Sequence, residues 1–142
     1  MQAIATYSPS RIVAVEISER FRNEISLLKL PMKIELYDTD ARDMDSFLKS
    51  NSVDKLLAIN VVYFLDPLTI YAKELYRVMK TESIGIIACK YTAQLGHSDI
   101  FKNKNIQLIV KIFQDAGFVV RVEKISLGNP ISDYTCIEIV KK

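Results

Sequence analysis

Glu16 stands in the apolar run Arg11–Ile17, just before a helix-forming segment, and a carboxylate flanked by Val15 and Ile17 needs a reason to be there. An acid at the carboxyl end of a buried strand can accept both hydrogens of a vicinal diol, which is how nucleotide-binding α/β folds hold ribose. The positive end of the following helix also favours it, so a solvated acid near a helix N-terminus is the competing reading. A group of aspartates, Asp38, Asp40, Asp43 and Asp45, follows the run Met32–Tyr37. Aspartates populate turns and helix caps through local hydrogen bonds, and a capping role suits Asp43 and Asp38 best. Asn60 follows a third run, Lys55–Ile59, at the edge where open α/β sheets bind ligands. It either lines a site or satisfies backbone groups in the turn. Tyr63 is a candidate wall for such a site, whereas Phe64 is expected in the core. His97, the single histidine, lies in the polar segment Thr92–Asn103 without an obvious partner. It could titrate near neutrality as a general base, but a solvent-exposed loop histidine is the simpler reading.

These groups need a scaffold, and the hydrophobic pattern supplies one. Arg11–Ile17, Met32–Tyr37, Lys55–Ile59 and Ile84–Lys90 read as strands, followed by Phe118–Ser126 and Tyr134–Lys141. Between them, Ser18 is an N-cap with Glu19 in the first turn, and Phe21, Ile25 and Leu28 are spaced to bury one helix face before Pro31 ends it. Asp43–Lys49 is read as a short helix. Pro67–Lys80 has helical period with Pro67 in its first turn, and Asn105–Ala116 turns Ile106, Ile109, Val110 and Phe113 inward. Gly117 falls where a left-handed cap is wanted, and Gly128-Asn129-Pro130 marks the turn joining the last two strands. The runs Lys55–Ile59 and Ile84–Cys89 are short and apolar enough to be buried on both faces, so with the helix between them they make a parallel crossover unit.

The segment Val53–Tyr91 resembles the class I S-adenosylmethionine-dependent methyltransferases. Val53-Asp54-Lys55, Tyr63-Phe64, Asp66-Pro67, Glu74-Leu75-Tyr76-Arg77-Val78 and Met79-Lys80 fall in register with the family pattern that ends in Arg-Val-Leu-Lys-Pro-Gly-Gly. Thr81-Glu82-Ser83 stands where the family has Pro-Gly-Gly. The family's glycine-rich cofactor loop follows its first strand, yet this chain has no glycine before Gly85, and Met1–Ser8 is similar to the last turns of the helix after that loop. The resemblance therefore implies a domain that begins one strand and one helix late. It implies an α/β, Rossmann-like sandwich with a mostly parallel sheet, an antiparallel C-terminal edge and the first central strand missing. It assigns Glu16 and Ile17 to the ribose, Asp40 and Ala41 to the adenine, and Asn60 and Val61 to the methionine end of S-adenosyl-L-methionine, with Tyr63 and Tyr91 beside the acceptor. Without a glycine loop, cofactor binding is expected to be weak or absent. The missing strand is central in the family, so Arg11–Ile17 is expected either to close directly onto Lys55–Ile59 or to leave a slot for another chain.

Length and composition agree with a single partial domain over residues 1–142: 49% hydrophobic residues can form one core. A net charge of +2 with dispersed lysine and arginine offers no basic stripe for a nucleic acid. Leu56–Leu65 is the longest apolar stretch, interrupted by Asn60 and far below the roughly 20 residues of a membrane span. No basic segment followed by an apolar signal core opens the chain, so a cytoplasmic location is expected. Cys89 and Cys136 sit in strand patterns without a second ligand nearby, and read as buried thiols rather than a disulfide or metal site. Two functions stay open. One is methyl transfer to a small-molecule acceptor; the other is a non-catalytic methyltransferase-like fragment, a binding partner or decayed gene product. A receiver-like signalling domain is excluded because Asn60 stands where its phospho-accepting aspartate would be.

Overall fold

The computed structural model describes residues 9–29, 33–90, 99–126, 128 and 133–142. The chain divides into two compact units, Met1–Met44 and Asp45–Lys142.

In the first unit, strands β1 (Ile12–Val15) and β2 (Ile34–Tyr37) pair in parallel, with Val15 opposite Tyr37, and helix α1 (Glu19–Ser26) connects them. Ser18 caps α1 as expected, its hydroxyl accepting the Phe21 N–H at 3.4 Å. The helix then ends at Leu27, ahead of Pro31, with Ser26 bonding back to the Arg22 carbonyl at 2.9 Å. The expected buried stripe does not form. Phe21 and Leu28 are exposed, Ile25 is half-buried, and no residue of α1 is buried.

The second unit holds strands β3 (Val53–Ile59), β4 (Met79–Cys89), β5 (Phe118–Ile125) and β6 (Tyr134–Lys141) in the order β3-β4-β6-β5. β3 and β4 are parallel, joined by helix α2 (Leu68–Val78); β6 runs antiparallel between β4 and β5. This is the expected crossover with an antiparallel C-terminal edge. Among the described residues β1 pairs with β2 in the first unit, and β3 pairs with β4 in the second.

The spacing of α2 explains its position. Leu68, Tyr71, Ala72, Leu75 and Val78 share one face and are all buried. Helix α3 (Ile106–Asp115) buries Ile109 and Phe113, and Asn105 caps it by accepting the Leu108 N–H at 3.1 Å. Gly117 follows at φ +108°, where an added Cβ would also meet the Tyr76 ring at 2.9 Å. Lys141 is buried, and its ammonium donates to the Asn51 side chain at 2.7 Å and to the carbonyls of Tyr76 and Met79 at 2.7 and 2.9 Å. A cation on the last carbonyls of α2 complements the helix dipole.

Two boundaries depart from expectation. The span Asp43–Lys49 forms turns and no helix; seven residues are too few to offset the cost of helix nucleation, and Arg77 binds the Leu48 carbonyl at 2.9 Å instead. β4 begins at Met79, directly after α2, rather than at Ile84. Its pairing jumps from Val53 opposite Met79 to Lys55 opposite Ile84, a bulge whose extra residues include Glu82 at φ +60°.

Candidate functional site

The carboxyl end of the β1–β2 pair gathers the first group of candidates. The Glu16 N–H donates to the Tyr37 carbonyl at 3.1 Å, extending the ladder by one residue and setting Glu16 beside the segment that leaves β2. One Glu16 carboxylate oxygen accepts the Ser18 N–H at 2.7 Å, at the start of α1. Ile17 next to it is exposed. Asp38 is ion-paired with Arg22 at 2.7 Å and Asp40 with Arg42 at 3.2 Å. Asp40 also accepts the Arg42 N–H, forming the local turn in which Ala41 lies half-buried. The expected capping role of Asp43 has no helix to serve; its carboxylate lies 3.8 Å from Arg42.

The second group lies at the carboxyl end of β3 and β4. Asn60 adopts φ +56° directly after β3, and its N–H donates to the Ala88 carbonyl at 2.8 Å. Asparagine tolerates this left-handed backbone better than most residues. Its side chain turns to two phenols: Oδ1 accepts from the Tyr63 hydroxyl at 2.8 Å, and Nδ2 donates to the Tyr134 hydroxyl at 3.3 Å. The Tyr63 hydroxyl also accepts the Lys90 N–H at 2.8 Å. Burial pushes the Tyr63 phenol up from its ordinary value, against the lowering effect of that amide bond, so it stays a protonated donor at neutral pH. Val61 is exposed and starts the short 3-10 turn Val62–Phe64.

That turn is clamped from below. The Asn103 side chain donates to the carbonyls of Val62 and Leu65 at 2.7 and 2.8 Å, while the Lys102 N–H donates to the Tyr63 carbonyl at 2.8 Å. Phe101 lies against both Tyr63 and Phe64 at 5.5 and 5.4 Å. The core assignment of Phe64 is reversed, since Tyr63 is 4% exposed and Phe64 51%. A 3-10 turn of three residues aims neighbouring side chains in different directions, and the clamp selects Tyr63 as the inward one.

Glu16, Ile17, Asp40 and Ala41 thus fall in the first unit, and Asn60, Val61 and Tyr63 in the second. Tyr91 and His97 lie outside the described residues. Sequence reasoning passed over Lys90, Tyr134 and Asn103. Antiparallel β6 brings its first residues beside the last of β4, Thr135 opposite Cys89, so Tyr134 could have been placed at this edge from strand direction alone. Among the described residues, no group of three or more histidine, cysteine or acidic side chains is placed to hold a metal ion. No helix among them is long and apolar enough to cross a membrane.

A family model described as a methyltransferase domain matches residues 1–87. No curated protein sequence matches the chain. Solved structures do, at low identity. A putative S-adenosylmethionine-dependent methyltransferase from Listeria monocytogenes shares 12% identity over 99% of this chain and 84% of the other, with a TM-score of 0.73. The N-methyltransferase NodS from Bradyrhizobium japonicum, solved with S-adenosylhomocysteine, shares 11% over 97% and 71%, with a TM-score of 0.71. The cyclase SpnF shares 13% over 98% and 68%, with a TM-score of 0.72. At these identities the likeness shows the fold, a Rossmann-like α/β arrangement that hosts more than one chemistry.

Proposed function

This chain belongs to the class I S-adenosylmethionine-dependent methyltransferases, and on that premise we propose that it carries the ribose, adenine and methionine contacts of a domain that methylates a small-molecule acceptor. The observation that carries the reading is the ladder bond from Glu16 to Tyr37, which sets the proposed ribose acid beside the end of β2, just ahead of the Asp40 turn in sequence, at the carboxyl edge of a parallel pair. Glu16 keeps one carboxylate oxygen beyond the bond to Ser18, Asp40 and Ala41 are assigned to the adenine, and Asn60 and Val61 to the methionine end. Tyr63 is proposed to act through Asn60, whose orientation it fixes, and Tyr91 to flank the acceptor. Both units are taken as parts of one domain.

S-adenosylmethionine supplies an electrophilic methyl on a sulfonium whose leaving group needs no proton. The protein's part is then to hold an acceptor in line and keep water out, which asks for no acid–base pair. A small acceptor is favoured because a nearly neutral chain advertises no broad charged surface for a macromolecule.

The test joins a first strand and glycine loop, taken from a family member that carries them, to the chain. Calorimetry should show S-adenosylmethionine binding at least about tenfold tighter than to the 142-residue chain, because backbone amides then reach the cofactor carboxylate. Glu16→Ala should weaken it; tight binding that survives this change means the site is misplaced. Labelled methyl should pass to small oxygen, nitrogen or carbon nucleophiles. Labelling confined to protein or tRNA pools overturns the small-acceptor reading, and no labelling anywhere leaves a non-catalytic fragment.

A further inference from the structure

The polar chain at the end of β3 and β4 has a direction. The Lys90 N–H donates to Tyr63, the Tyr63 hydroxyl donates to Asn60 Oδ1, and Asn60 Nδ2 donates to the Tyr134 oxygen. Each member has an accepting and a donating end, so the series runs from the Lys90 backbone outward and finishes on the Tyr134 hydroxyl. That hydroxyl accepts, and among the described residues its own hydrogen has no acceptor. Beside it, the Lys90 ammonium lies 5.0 Å from the centroid of the Tyr134 ring. Lys90 has no carboxylate partner among the described residues, and Asp133, the residue before β6, accepts a hydrogen bond from Ser126 at 3.0 Å. Both Lys90 and Tyr134 are half-buried. A partly desolvated cation and an unused phenolic donor at one sheet edge favour an oxyanion over a neutral group.

We propose that Lys90 and Tyr134 form an oxyanion-binding corner, held in place through Asn60 and Tyr63, that takes a carboxylate of the methyl acceptor. The proposal rests on the methyltransferase reading and narrows its acceptors to small carboxylic acids. Asn60 and Tyr63 are positioning residues here. The Tyr63 bond directs the Asn60 amide so that Tyr134 keeps its hydrogen for the ligand.

The probe is benzoate against neutral benzamide, followed by two-dimensional NMR of the 142-residue chain at constant ionic strength. Benzoate should shift Tyr134 and Lys90 resonances saturably and benzamide should not. Lys90→Gln should weaken benzoate about tenfold or more, through loss of the ion pair, and Tyr134→Phe about threefold, through loss of one partly hydrated phenolic hydrogen bond. Should a variant misfold, the benzoate–benzamide contrast on the unaltered chain still decides. Equal binding of both probes, shifts no larger than those of sodium chloride, or full benzoate affinity in Lys90→Gln overturns the corner. Displacement of benzoate by S-adenosylhomocysteine assigns the corner to the cofactor carboxylate and overturns the acceptor assignment. The methyl-transfer assay on the extended chain reads the parent hypothesis separately. Labelling of neutral acceptors in preference to acids sinks the corner alone, and benzoate binding without any labelling sinks the acceptor role together with the methyltransferase reading.

Discussion

Helices α1 and α2 are both amphipathic, yet α2 buries Leu68, Tyr71, Ala72, Leu75 and Val78 while α1 buries nothing and leaves Phe21 51% exposed. The difference lies in what each unit can offer. The second unit has four strands, with Ile87, Cys89, Ile137 and Ile139 buried, and α3 adds Ile109 and Phe113. The first has two strands of four residues, each residue of which is only half-buried. Two strands and a short helix seldom bury enough surface to be stable alone, whereas four strands with two helices do. Periodicity in sequence therefore announces a face that wants covering, and whether it is covered depends on how many strands stand behind it.

The largest test of this contrast is a pair of truncations. Phe113→Ala removes a fully buried ring and should cost about 3–5 kcal/mol. Phe21→Ala removes a ring already half in water and should cost below about 1 kcal/mol. Urea unfolding of both variants checks this, and a Phe21→Ala cost equal to that of Phe113→Ala would show that the two units are stabilised alike.

A smaller effect sharpens the account of the second unit. Glu82 stands at the first glycine of the family's Pro-Gly-Gly turn and keeps the left-handed backbone, φ +60°, that a glycine adopts freely. Left-handed backbone costs a non-glycine residue about 1–2 kcal/mol, and glycine returns about 0.5–1 of that through its freer unfolded chain. Glu82→Gly should thus raise stability by about 0.5–1 kcal/mol, read as a shifted urea midpoint at constant slope. A loss of stability would mean that the bulge, and not the residue, sets the conformation.

The second unit was the more legible in sequence for the same physical reason. Continuous apolar runs and a buried stripe gave Lys55–Ile59, Pro67–Lys80 and Tyr134–Lys141 nearly to their ends and Ile84–Lys90 at its carboxyl end but not at its start, and Gly117 marked its turn. What escaped was set by contacts distant in sequence. Arg77 binding the Leu48 carbonyl displaces the expected helix at Asp43–Lys49, and Asn103 clamping Val62 and Leu65 decides that Tyr63 rather than Phe64 turns inward. At the candidate site, Asn60 was placed at the end of its strand. Strand direction alone sets Tyr134 at this edge, but its meeting with Lys90 depends on the register of β4 against β6, which neither segment announces by itself.

The smallest effect separates the units by pH. In the first unit Arg11 and Glu35 form a two-pronged ion pair at 2.8 and 2.6 Å, and Tyr37 adds a hydrogen bond at 3.2 Å. The Arg11 guanidinium holds the Glu35 carboxyl below its ordinary value of 4.5, while Glu35 holds Arg11 above its own. A carboxylate depressed in the folded state contributes stability above its unfolded value, and loses it as pH falls through the lower folded value. The arginine's contribution would fade only in strong alkali, beyond the stable range. The pair is solvent-exposed, so its effect is small and weakened by salt. Acid titration from pH 6 to pH 2, followed through the amide signals of Ile12–Val15 and Ile34–Tyr37, should show these strands loosening before the β4–β6 ladder. Arg11→Gln should shift the Glu35 midpoint upward toward 4.5 and abolish most of the salt dependence. Loosening of β4–β6 first, or a Glu35 midpoint that Arg11→Gln leaves in place, would remove this pair as the point where the first unit gives way.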